Sequence, residues 1–222
     1  MLESDVGQEA LRGLAGQRYS IADAARHVPN VAGLYAIYAE TSVWNELGID
    51  RRGEGTPLYV GKSESSLVVR ELKTHFAIDD GAAIKTGGST VRRSFAALLR
   101  EAQGFRGQPR DAAMNPKYFA SFSLAHEDDR RLTAWMHQNL TLAVWAKPAD
   151  LSLPLRDVEA VVLTHWMPPL NIQGVPNPLR RLRAARSRMQ ADAEQWARAH
   201  AERASDIAMH DDVSAGLDSF SA

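Results

Sequence analysis

The chain is 222 residues long, 45% hydrophobic and 24% charged, with a formal net charge of −1. That length supports one ordinary domain with appendages, and the near-neutral balance lacks the basic excess that usually marks a nucleic-acid-binding domain. Zero cysteines exclude disulfides, thiol catalysis and thiolate metal sites, and no apolar run reaches the length of a membrane span.

Residues 1–30 form a helical lead-in, with a short helix over 20–27 that ends before Pro29. This start lacks a basic-then-apolar signal pattern, so a cytoplasmic protein is expected. The stretch VAGLYAIY at 31–38 is β-branched and aromatic, which predicts a strand. Residues 39–56, rich in Gly, Glu and Asp, read as a loop insertion. A second strand over 58–60 pairs antiparallel with the first, and Ser65 or Ser66 caps a helix running to about residue 76.

After a polar loop at 78–88, Val91, Phe95, Leu98, Leu99 and Ala102 give a helix over 90–102 its apolar face. A loop over 104–115 leads to a predicted strand at 118–124. A helix over 127–140 carries Leu132, Trp135 and Met136, and a further strand covers 142–146. Pro154 suits the first turn of a helix over 154–166, which stops before Pro168-Pro169.

Asn177 as cap and Pro178 at the first helical position open a basic final helix over 176–204. Leu179, Leu182, Arg186, Met189, Ala193, Trp196 and His200 recur along it at steps of three and four. This short seam, interrupted by Arg186, is expected to dock on the domain rather than form a coiled coil. Residues 205–222, with Asp206, Asp211, Asp212 and Asp218, are expected to be a disordered acidic tail.

Positive charge concentrates in two places. Lys85, Arg92, Arg93, Arg100, Arg106, Arg110 and Lys117 are opposed between 85 and 117 only by Glu101 and Asp111. Arg180, Arg181, Arg183, Arg186 and Arg188 form the second cluster. Charge runs are as readily solvated helix faces as binding surfaces.

Gly61-Lys62-Ser63 ends like a phosphate-cradling P-loop, but that loop needs a glycine at position 56, which is Thr56. Pro57-Leu58-Tyr59-Val60 also reads as an apolar strand, so the P-loop is set aside. What remains is an ordered set: Gly33-Leu34-Tyr35, then Tyr59-Val60-Gly61, then Leu67, Arg70 and His75-Phe76, and much later Glu159 and Asn171.

This set resembles the GIY-YIG nuclease superfamily over about residues 31–171. GLY and YVG match its two naming motifs, Leu67 to Arg70 its Leu-x-x-Arg, His75-Phe76 its helix end, Glu159 its metal-binding glutamate and Asn171 its late asparagine. The resemblance implies an α+β fold: a small, mainly antiparallel three-stranded central sheet flanked by helices. Here it carries an inserted strand–helix unit and a long C-terminal helix. The nuclease domain then covers 31–175, with insertions at 39–56 and 78–147.

Arg70 and His75 stand five apart, a rotation of about 500° along a helix. Either the helix has ended by His75, or His75 lies outside the site. The implied catalytic set is Tyr35, Tyr59, Arg70, His75, Glu159 and Asn171. Glu159 is the metal ligand, for Mg²⁺ with Mn²⁺ as the alternative, since one carboxylate plus waters and substrate phosphate suffices for a hard cation.

Arg70 would bridge the scissile phosphate through its planar fork, with Lys62 adding a point charge and Gly61 small enough for close phosphate approach. Arg92 or Arg93 is the fallback phosphate ligand. Tyr35 or Tyr59 would position or deprotonate water, and Asn171 would orient the site. The expected function is metal-dependent DNA endonuclease; the alternative is a non-catalytic nucleic-acid-binding or protein-interaction module. A homodimer through the final helix would suit double-strand cleavage.

Overall fold

The structure, a computed structural model, describes residues 3–68, 75–76, 86–111 and 114–217. Its sheet is built around β2 (Gly33–Ala39), the apolar stretch recognised in the sequence, which is buried from Gly33 to Tyr38. Helices cover both faces of this strand, which is why it reads as a continuous apolar run rather than an alternating one. β2 pairs with β3 (Tyr59–Ser63) on one side and with β4 (Leu140–Ala146) on the other. A two-residue strand, β1 (Tyr19–Ser20), lies beyond β4, and every pairing is antiparallel. The order β1-β4-β2-β3 keeps the expected three-stranded centre and leaves β3 at an edge.

The period of two along each strand splits the core into two layers. Leu34, Ala36, Tyr38, Val60, Ala143 and Trp145 face α1 (Glu3–Ala15) and α7 (Leu155–Trp166). Tyr35, Ile37, Tyr59 and Leu142 face the opposite layer of α2 (Ile21–His27), α3 (Thr41–Leu47), α4 (Thr90–Leu98), α6 (His126–Asn139) and α8 (Arg180–Leu217). Among the described residues no helix is long and apolar enough to cross a membrane.

Several elements differ from the sequence expectation. The stretch 39–56 holds α3, whose Val43, Trp44 and Leu47 are buried, and Gly48 ends it in the left-handed region at φ 62°. The strand expected at 118–124 is a 3-10 turn over Pro116–Ser121, started by Asn115 accepting from the Lys117 N–H. Only Ser123 makes a strand-like bridge, to Gln108. β4 lies inside the stretch expected to be an insertion (78–147), yet it pairs along the whole of β2. The helix expected over 65–76 falls mostly outside the described residues.

α8 docks as its seam predicts: Leu182, Ala185, Met189 and Ala193 are buried, against α4 and the 116–121 turn. The backbones approach closely, since a Cβ on Gly107 would stand 2.0 Å from the Met189 carbonyl oxygen. Arg100, on α5 (Arg100–Gln103), fixes the same helix by donating to both Asp192 carboxylate oxygens, at 2.9 and 2.7 Å. That bidentate geometry makes Arg100 a structural clamp. The apolar face of α8 from Leu182 to Ala193 is thus spent on its own domain. The helix continues through Leu217, past the boundary at which an acidic disordered tail was expected; residues 218–222 lie outside the described ones.

Candidate active site

The antiparallel register places the two tyrosine–glycine motifs opposite each other, with Tyr35 across from Gly61 and Leu34 across from Lys62. Tyr35 is fully buried, and its phenol lies over the position a Gly61 side chain would occupy. A Cβ there would meet the Tyr35 oxygen at 2.4 Å. Gly61 is therefore small to admit the Tyr35 ring.

Tyr35 hydrogen-bonds through its hydroxyl to His75 Nε2 at 2.8 Å, and His75 Nδ1 bonds Ser89 Oγ at 2.6 Å. All three residues are buried. His75 thus joins the core behind the site rather than lining the cleft. Tyr35 lies in the same layer, its ring centre 5.9 Å from that of Tyr59.

Tyr59 lines a cleft of about 760 Å³ along the β3 edge, together with Gly61, Lys62, Arg93, Glu159, Asn171 and Arg186. Each arrives by a local rule. Lys62 alternates with Gly61 and so projects toward the α7 layer. Glu159 follows the buried Val158 by one residue, about 100° round the helix, which sets it at the flank of the buried stripe. The two meet as an ion pair, Lys62 Nζ to Glu159 Oε2 at 3.0 Å, with Glu64 Oε1 at 3.8 Å.

An edge strand leaves backbone groups unpaired. Asn171 satisfies those of Val60 with one side-chain amide: its Oδ1 accepts from the Val60 N–H at 2.9 Å and its Nδ2 donates to the Val60 carbonyl at 2.7 Å. The Leu170 N–H donates to the Leu58 carbonyl beside it, at 3.0 Å. Asn171 acts as a short surrogate strand that fixes the Tyr59–Lys62 backbone.

On the other side of β3, α4 and α8 deliver Arg93 and Arg186. Arg93 donates to the Gly87 carbonyl and to Thr90 Oγ1, but its buried Nε has no partner among the described residues. Burial, and then the Arg186 and Arg110 guanidiniums, push its pKa down to about 10. Burial also lowers Arg186, partly offset by Tyr59, and its Nη1 is buried without a partner among the described residues. In the sequence Arg186 stood both in the second basic cluster and as the residue interrupting an apolar seam. That interruption was the signal that it served something other than packing.

Arg92, the other fallback for phosphate, belongs elsewhere. Its guanidinium is fully buried and donates to Asp129 Oδ1 at 2.9 Å, the Asp129 carbonyl at 3.0 Å, Thr133 Oγ1 at 2.9 Å and the His75 carbonyl at 2.9 Å. The expectation that it contacts phosphate gives way to a structural role, because no face of it reaches solvent. Arg70 lies outside the described residues.

Glu159 is the carboxylate that reaches the cleft from α7, and among the described residues no cluster of three or more acidic or histidine side chains forms a ready metal cage. Glu159, with Glu64 lining the same cleft, still fits a hard cation that takes its other ligands from water and phosphate. Lys62, part-exposed on a flexible stem, pairs with Glu159 within the cleft.

A family model described as GIY-YIG catalytic domain matches residues 33–189. No curated protein and no solved structure matches the chain. The family match runs from the first tyrosine motif through the cleft glutamate to the buried part of α8. The chain belongs to the GIY-YIG catalytic-domain family, whose members are generally nucleases.

Proposed function

We propose that the protein is a divalent-metal-dependent endonuclease that hydrolyses phosphodiester bonds in DNA, with Mg²⁺ as the ion and Mn²⁺ as the alternative. The observation that carries this reading is the meeting of Glu159, Lys62 and Tyr59 in one open cleft, with Arg93 and Arg186 on its far wall. A cation held at Glu159 would supply Lewis acidity toward a phosphoryl oxygen and a more acidic bound water.

The chain's own residues do the rest. Lys62 exchanges its ion pair with Glu159 for the charge of an incoming phosphate. Tyr59, the cleft-facing tyrosine, takes the proton from the attacking water. A phenol serves as a base only where cations stabilise its anion, and Arg186 supplies that charge. Tyr35 and His75 support Tyr59 from behind, and Asn171 fixes the strand that carries it. Arg70 retains its place as a ligand of the scissile phosphate on family resemblance alone.

The Lys62–Glu159 pair favours one competing reading. A glutamate neutralised by lysine would suit a non-catalytic module that binds nucleic acid or protein on the same fold. Supercoiled plasmid incubated with Mg²⁺, with Mn²⁺ and with EDTA separates the two. Nicking or linearisation that needs the ion and disappears in Glu159→Ala supports the enzyme. DNA binding without cleavage under either ion supports the module.

A further inference from the structure

Two guanidiniums face the same cleft wall from different helices, each with a buried nitrogen that no described residue engages. No carboxylate among the described residues pairs with Arg93 or Arg186. Both sit close enough to repel one another, with Arg110 adding to the repulsion on Arg93. Holding like charges together, part-buried and short of acceptors, is costly, and the arrangement is relieved by an anion that accepts from both.

Their position sets what that anion is. Tyr59, α4 and α8 lie in one core layer, whereas Val60 and α7 lie in the other. The Arg93–Arg186 wall and the Lys62–Glu159 pair therefore stand on opposite sides of the edge strand β3 and open into one cleft. We propose that Arg93 and Arg186 form a second phosphate subsite, which grips a backbone phosphate flanking the one held beside Lys62 and Glu159. The docking of α8 then completes the site: Arg186 rides on a helix fixed by Arg100–Asp192 and the Met189–Gly107 contact. The identity of this phosphate as part of a nucleic-acid strand rests on the nuclease reading above; the anion site itself does not.

The test measures binding of a short fluorescent DNA duplex in EDTA, at several salt concentrations, by wild type, Arg93→Gln, Arg186→Gln and the double variant. Arg156→Gln, exposed on α7 away from the cleft, is the control. Each cleft substitution is expected to weaken binding and reduce the slope of log K against log salt by about one, with no change in the control. Thermal melting keeps the result interpretable: Arg186→Gln removes an unpaired part-buried charge, so its Tm should equal or exceed that of wild type. A lowered Tm with an unchanged slope would make Arg186 a structural residue and overturn the subsite.

Unchanged slopes in a wild type that cuts plasmid would overturn the subsite while leaving the nuclease intact. If wild type neither binds nor cuts DNA, melting in inorganic phosphate decides. A Tm rise that is lost in the double variant keeps the anion site without the nuclease, and no rise in wild type ends both.

Discussion

The phenol of Tyr35 lies across Gly61, where an added Cβ would come within 2.4 Å of its oxygen. This close approach ties the two motifs that name the family into one packing unit. The Tyr35 hydroxyl is held by His75 at 2.8 Å and the ring is fully buried, so it has little room to withdraw. Gly61→Ala is therefore expected to destabilise the fold by about 1–3 kcal/mol, the usual cost of overpacking. Urea unfolding checks this, and a variant as stable as wild type would show that Tyr35 can move after all.

The two tyrosines should separate by kind of defect. Tyr35→Phe deletes a buried hydrogen bond to His75, with an expected stability loss of about 1–2 kcal/mol. Tyr59 lines the cleft, so Tyr59→Phe should slow cleavage by about 10²-fold, beyond anything its change in stability explains. Parallel melting and plasmid-cleavage rates read both effects. Cleavage slowed no more by Tyr59→Phe than by Tyr35→Phe would contradict the assignment of the proton-accepting role to Tyr59.

Arg92 should behave as a core residue. Removing it leaves the Asp129 carboxylate buried, and breaking a buried pair from one side typically costs about 3–5 kcal/mol. Arg92→Leu is thus expected to unfold at much lower denaturant, whereas Arg93→Gln, on the cleft wall, should not. The contrast between adjacent arginines is the informative result. Similar unfolding midpoints would place Arg92 in the wrong network.

The order of residues along the chain was enough to identify the family. Each tyrosine–glycine motif is a local strand pattern, and the strand, helix and cap signals around it depend on near neighbours only. The apolar run at 31–38 became the central strand, and the seam from Leu182 to Ala193 became the docking face of α8. Errors arose where a local pattern had two solutions. Phe119 buries its side chain from a 3-10 turn, and Phe122 and Leu124 from the segment after it, as readily as from a strand, because Asn115-Pro116 starts a turn instead.

What no local pattern contains is the direction a long polar side chain takes. Arg92 and Arg93 are neighbours with the same chemistry, yet about 100° of helix rotation sends one into the core beside Asp129 and the other to the cleft wall. Arg186 joins Arg93 from 93 residues away only because α8 packs against α4. Sequence determined which chemistry the chain carries. The tertiary packing decided which charges line the cleft and which hold the fold, since that choice depends on burial and on partners supplied by distant segments.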